Sequence, residues 1–233
     1  MHRIEPGQEE RAFLEAARRS ALERVAGLDS ADPQAAFHVL AELTRLRRAA
    51  CDPRLAAPEL GLVGAKAQEF ERLATELVAG RHKALVFSQF TDFLDLLAER
   101  LRGAGIAHQL LTGATPAAER ARRVAAFQAG EGDLFLISLK AGGFGLNLTA
   151  ADYVVIADPW WNPAAEDQAS GRAHRIGQQR PVTVYRLVTA GSIEERIVEL
   201  HQHKRDLADG ILAGQDQARP MGAQDLRELL RGE

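Results

Sequence analysis

From Lys66 onward the chain alternates between helical apolar periodicity and short, nearly continuous apolar runs, a pattern that few folds accommodate. A helix through Phe70, Leu73, Leu77 and Val78 is expected to stop at Gly80. The runs at residues 84–88, 107–111, 133–138, 153–157 and 182–188 are apolar without clean in–out alternation, as strands covered on both faces should be. Between them, residues 91–103 carry Phe93, Leu94, Leu97 and Leu101 at helical spacing, and Thr115 with Pro116 caps a helix that ends at Gly130. Asn162 and Pro163 open another helix that ends near Gly177. Residues 192–195, Ser-Ile-Glu-Glu, form a capping box that starts a long helix through Ile197, Leu200 and Leu207. This βα repetition predicts an α/β fold: a parallel sheet with helices on both faces and right-handed crossovers. Ligands of such sheets gather at the C-terminal ends of the strands.

The first fifty residues read as helical. Phe13, Leu14, Ala17, Ala21 and Val25 define one helix; Asp32 and Pro33 open a second, which runs through Phe37, Leu40, Leu43, Thr44 and Arg47. Pro53 ends it, and the Pro- and Gly-rich residues 54–64 mark a boundary. The predicted organisation is a small helical segment at 1–64, the α/β lobe at 65–213, and a tail at 214–233 whose residues 225–230 form one short amphipathic helix. A length of 233 residues, 46% of them hydrophobic, suffices for a real core. No apolar run approaches a membrane span and the N-terminus lacks a secretory pattern, so the expected location is cytoplasmic, in association with a nucleoid or nucleus. Cys51 is the single cysteine, which excludes an internal disulfide, and it is expected to be a small buried hydrophobe. The formal charge of −3 means that any nucleic-acid binding must come from local patches and backbone amides.

Two segments carry chemistry. Residues 138–147 place Gly142, Gly143 and Gly145 within four positions, which lets the backbone approach a phosphate with its amides exposed, and Lys140 adds a charge; a plain tight turn explains the same spacing equally well. The helix from Pro163 carries Gln168, Arg172 and Arg175 at i, i+4 and i+7, hence on one face. Such a stripe is usually solvated. Here Ala169, Gly171 and Ala173 leave room for a second surface, and guanidinium groups suit phosphate oxygens. The histidines are scattered; His201 and His203 point to different helix faces, so no metal site is expected.

The run from Asp158 to Gln178, D-P-W-W-N-P-A-A-E-D-Q-A-S-G-R-A-H-R-I-G-Q, with the loop at 138–149 upstream, resembles the C-terminal lobe of Swi/Snf-type superfamily two DNA translocases, and the resemblance extends from Lys66 to about Leu212. It implies a RecA-like fold with the following roles. Arg172 and Arg175 match the arginine fingers of motif six, and Gln168 a nucleotide sensor in the same motif. Gly143, Gly145 and Asn147 match motif five, which lines the cleft between two lobes; Ser138 and Lys140 lie where that motif meets the tracked strand. Ser88, Gln89, Thr112 and Gly113 match positions that approach nucleic-acid phosphates. Trp161 matches a tryptophan that couples hydrolysis to movement, although a ring packed under the lobe explains it nearly as well.

The chain has no G-x-x-x-x-G-K-[ST] loop and no paired Asp-Glu of the motif two type. The resemblance therefore implies that ATP and Mg2+ are held mainly by an N-terminal RecA-like lobe outside this sequence. The expected partners are that lobe, double-stranded DNA and a DNA-bound protein complex, and the fragment alone is expected to be inactive. Two other readings remain open at this point: a free-standing module that binds nucleic acid or regulates a motor, and an unrelated doubly wound enzyme using the Gly-rich loop for a small nucleotide.

Overall fold

A computed structural model describes residues 1–28, 34–142, 148–160, 166, 171, 181–200 and 230. Two compact units divide the chain: Met1–Ile4 with Ala65–Val188, and Glu5–Gly64 with Thr189–Glu233. Each unit is thus built from two stretches of chain, which the sequential division into 1–64, 65–213 and 214–233 does not include.

The first unit is a six-stranded sheet. Its strands are β1 (His2–Ile4), β2 (Ala84–Ser88), β3 (His108–Leu111), β4 (Leu134–Ser138), β5 (Tyr153–Ile156) and β6 (Thr183–Thr189), in the order β1-β6-β5-β2-β4-β3. Every pairing among β2 to β6 is parallel. β1 departs from the expectation of helix throughout the first fifty residues, because an edge place beside β6 was open to an extended segment remote in sequence. The five strands expected from the apolar runs are all present, shifted by one residue at most.

Placement follows composition. β2 and β4, flanked by strands on both sides, are buried at every residue, whereas edge strand β3 keeps His108, Gln109 and Leu110 half-exposed. Residues two apart share a face, so Leu85, Phe87, Phe135, Ile137, Val154 and Ile156 form one apolar layer with Phe127, Ala141 and Leu148. On the other side α4 (Thr91–Gly103) packs on β2, β3 and β4, burying Phe93, Leu94, Leu97 and Leu101. Each such fully buried Phe or Leu contributes about 2 kcal/mol. α3 (Ala65–Ala79) lies against α4, and α5 (Ala117–Gln128) against β3.

One helix end matches expectation and one does not: α3 stops before Gly80, whereas α5 lacks its expected cap. α3 closes with Arg81, not Gly80, in the left-handed region (φ 58°), while the His82 amide donates to the Leu77 carbonyl at 2.9 Å. Gly80 is needed for space instead: a Cβ there would meet His82 at 2.8 Å. Thr115 does not cap α5; its hydroxyl accepts the Thr112 amide at 3.0 Å and stiffens the preceding turn.

The second unit pairs α1 (Gln8–Ala26) with α2 (Ala35–Cys51), followed by short 3-10 turns and a helix whose residues 193–200 are described. The expected Asp32–Pro33 opening lies outside the described residues. Buried polar groups hold the bends. The fully buried Asp52 carboxylate accepts the Arg54 amide at 3.0 Å, the Arg54 guanidinium at 2.8 and 2.9 Å and the Gly64 amide at 3.2 Å. A Cβ at Gly64 would press on Pro53 at 3.0 Å and on the Asp52 backbone at 3.1 Å.

Glu194, also fully buried, accepts the Thr189 amide at 2.9 Å and the Cys51 thiol at 3.8 Å. Cys51 is therefore buried but not purely a hydrophobe. The capping box is present one residue out of register: Ser192 Oγ accepts from the Glu194 amide at 3.2 Å, and Glu195 reaches back to the Gly191 amide at 2.8 Å. Leu230, in the tail, is fully buried among Leu14, Leu46 and Ile193, with its carbonyl accepting from Arg18 at 3.4 Å. Among the described residues no helix is long and apolar enough to cross a membrane.

Candidate functional site

Because β2 to β6 run parallel, their C-terminal ends share one edge of the sheet. Ser88 and Ser138 are register partners there, and Leu111, the last residue of β3, pairs with Ile137. The edge therefore presents, in order, residues 157–160 after β5, Ser88 and Gln89 after β2, Ser138 and Lys140 at the end of β4, and Thr112 and Gly113 after β3. All six nucleic-acid candidates are brought to one edge. Their exposure sorts them. Lys140 and Gly113 are exposed, Gln89 and Thr112 half-buried, and Ser88 and Ser138 buried.

Chain order across the sheet identifies the crevice. The connection from β2 leads toward β3 on one side, and that from β5 leads to β6 on the other, so the crossovers diverge between β2 and β5, where ligands of open α/β sheets bind. At that position Asp158, fully buried, accepts the Ser88 hydroxyl and, at 3.0 Å, the Gln89 amide. Ser88 Oγ in turn accepts the Phe90 amide at 3.0 Å. The Ser88 hydroxyl is thus an internal post that shapes the turn. Any surface contact there falls to Gln89. Ser138 plays a similar part, its Oγ accepting the Ala141 amide at 3.3 Å at the start of the short helix α6 (Leu139–Gly142).

Two further buried charges hold the peptide that follows β5. Lys66 Nζ donates to the Ala157 carbonyl at 3.3 Å, and Glu166 accepts the Trp160 amide at 2.9 Å on one oxygen and Arg186 Nε at 2.7 Å on the other. Lys66 and Glu166 are both fully buried. At the far end of the edge, the Thr115 amide closes the Thr112–Thr115 turn onto the Thr112 carbonyl at 3.1 Å, and Arg123 of α5 donates to the Leu110 carbonyl. The guanidinium groups of Arg122 and Arg123 hold the Glu119 carboxyl at about 2. It is anionic at any pH near neutrality and offsets part of the positive charge of α5.

Gln168, Arg172, Arg175, Gly143, Gly145, Asn147 and Trp161 lie outside the described residues. Among the described residues no group of three or more His, Cys, Asp or Glu is arranged to hold a metal ion. The carboxylates at this edge, Asp158 and Glu166, are engaged with hydroxyl, amide and guanidinium donors. The described residues therefore do not fit a magnesium site.

Residues 66–177 match the helicase conserved C-terminal domain. An ATP-dependent helicase of Schizosaccharomyces pombe is 45% identical over 150 residues, 64% of this chain and 14% of that protein. The chromatin-remodeling ATPase INO80 of Cryptococcus neoformans is 43% identical over 150 residues, 64% of this chain and 8% of that protein. The SWI2/SNF2 ATPase core of Sulfolobus solfataricus, solved in complex with double-stranded DNA, superposes with a TM-score of 0.73 at 26% identity, covering 88% of this chain and 44% of that one. The chain carries the C-terminal lobe of the Swi/Snf-type family. Its sheet is RecA-like, and it spans only a small part of the curated relatives it matches.

Sequence reasoning did not single out Lys66, Asp158, Glu166 and Arg186 as part of this Swi/Snf-type edge. Signals for them were present. Lys66 stands at i−4, i−7 and i−11 from Phe70, Leu73 and Leu77, a charge on the apolar face of its helix. Arg186 interrupts the apolar run of β6, and Asp158 follows the apolar run of β5 without a polar spacer.

Proposed function

We propose that this lobe is the C-terminal half of an ATP-driven motor that translocates along double-stranded DNA and displaces proteins bound to it. The observation that carries the reading is the alignment of Gln89, Lys140, Thr112 and Gly113 along the same sheet edge from which the segment containing Gln168, Arg172 and Arg175 continues. In this reading Lys140 and the amides around Gln89 and Gly113 hold the phosphates of the tracked strand. Arg172 and Arg175 stabilise the charge that develops on the transferring phosphoryl group of ATP, and Gln168 senses the nucleotide. Gly143, Gly145 and Asn147 line the cleft, and Trp161 links closure to movement. ATP and Mg2+ are gripped mainly by a partner RecA-like lobe carrying a phosphate loop. The working location follows the substrate, at chromosomal DNA.

DNA-stimulated ATP hydrolysis tests these roles. The intact protein is expected to turn over with double-stranded DNA, the present chain alone to be inactive, and intact Arg175→Ala to lose about a thousand-fold in rate. Turnover by the isolated chain, or an unaffected Arg175→Ala, overturns the assignment.

A further inference from the structure

We propose that Glu166 is a positioning residue of the motor: fully buried, it ties the Trp160 amide to Arg186 of β6 and so fixes the segment that carries the arginine fingers to the sheet. The inference rests on the reading of Arg172 and Arg175 given above. Glu166 belongs to that segment itself, two residues before Gln168, six before Arg172 and nine before Arg175. Its two oxygens are divided between a backbone donor at 2.9 Å and a guanidinium at 2.7 Å, so each bond constrains one end of the carboxylate. Arg186 keeps a quarter of its side chain exposed, while the carboxylate has none.

A charged pair of this kind is weak evidence for stability, because desolvation of the carboxylate offsets most of the attraction. It is strong evidence for geometry. The Trp160 amide is the first donor beyond Asp158 and Pro159, and Asp158 and Lys66 already hold the start of the same peptide through Ser88, Gln89 and the Ala157 carbonyl. Glu166 therefore joins the Trp160 peptide, which is anchored on its other side at the crevice between β2 and β5, to β6. A fingertip guanidinium must meet its phosphate within a few tenths of an ångström, and displacement by about 1 Å costs on the order of a hundred-fold in rate. Buried as it is, the glutamate acts through the arginines that follow it.

The test uses the intact protein and compares Glu166→Gln, Arg186→Lys, Arg186→Met and Arg175→Ala. Glu166→Gln keeps the volume but removes the charge and one acceptor, and is expected to lower kcat of the DNA-stimulated ATPase by ten-fold or more, with KM for ATP and DNA affinity within about two-fold of wild type. Arg186→Met is expected to fall with it. Arg186→Lys, which restores a cation for the same carboxylate, recovers most of the difference between Met and wild type. A folded Glu166→Gln that loses kcat and DNA affinity together, or that keeps a wild-type kcat, overturns the proposal. Should Glu166→Gln fail to fold, the Lys-against-Met contrast at Arg186 decides alone: equal rates overturn the proposal. Arg175→Ala separates the two levels. If it is inactive while Glu166→Gln is unaffected, the finger assignment stands and the positioning role falls; if Arg175→Ala is itself unaffected, both fall.

Discussion

Strands β2 and β5 are stapled to each other at both ends, by two aspartates six residues apart, and the two staples differ in kind. At the N-terminal end Asp152 accepts the His82 ring at 2.7 Å and the Lys83 amide at 3.1 Å. At the C-terminal end Asp158 accepts the Ser88 hydroxyl and the Gln89 amide. The same donors recur, a side chain and the next backbone N–H, on either side of β2. Surroundings separate them. His82 is 37% exposed and edges onto Tyr153 at 4.7 Å, which stacks on Tyr185 at 5.9 Å, so water reaches that end. Asp158 and Ser88 have no exposed surface, and Lys66 and Glu166 beside them have none either. A parallel sheet makes its two edges chemically unequal, and here water reaches the staple at the N-terminal edge while the one at the C-terminal edge is dry and sits among buried charges.

The comparison makes Asp158→Ala the most damaging of the paired substitutions. It strands the Ser88 hydroxyl and Gln89 amide in a buried site, for a loss of about 3 kcal/mol in urea unfolding of this chain; a loss under about 1 kcal/mol would erase the distinction between the two ends. Asp152→Ala, whose donors can turn to water, is expected to cost about 1 kcal/mol. In the intact protein the first substitution should depress ATP hydrolysis and the second leave it near wild type.

Acidity sharpens the contrast further. Burial pushes the Asp152 carboxyl up, but the His82 ring and the Lys83 amide outweigh it and hold the group below its ordinary value. A carboxylate depressed on folding adds stability above its unfolded value of about 3.9, and that contribution is lost as pH falls through the folded value. The difference in stability between wild type and Asp152→Asn should thus be constant near neutrality and shrink below about pH 4. A difference that grows on acidification would contradict the staple. Smallest of all is Arg81→Gly, at the same wet end, which relieves a left-handed non-glycine residue and should raise stability by up to about 1 kcal/mol in thermal unfolding.

The apolar runs made five strands legible. Elsewhere local patterns were informative only in part, for identifiable reasons. Gly80 does end its helix, but close approach of His82 makes it a spacer and the left-handed turn falls to Arg81. Thr115 before Pro116 looks like a helix cap, yet its hydroxyl serves the turn behind it. Ser88 matches a phosphate-facing position, but its hydroxyl faces inward to Asp158.

By itself the sequence determined the α/β class, the parallel sheet and the motifs that mark a Swi/Snf-type lobe, because apolar periodicity and residue identity are local properties that survive without coordinates. Only the tertiary structure decided which polar residues are structural. Asp158 meets Ser88 across 70 positions and Lys66 meets Ala157 across 91, and no spacing rule reaches that far. Tertiary structure likewise brought residues 2–4 to an edge of the sheet and sorted the candidates along the C-terminal strand ends into buried posts and exposed positions. The physical reason is that burial, which sets whether a charge or hydroxyl must find an internal partner, is a property of the assembled layers and not of any one segment.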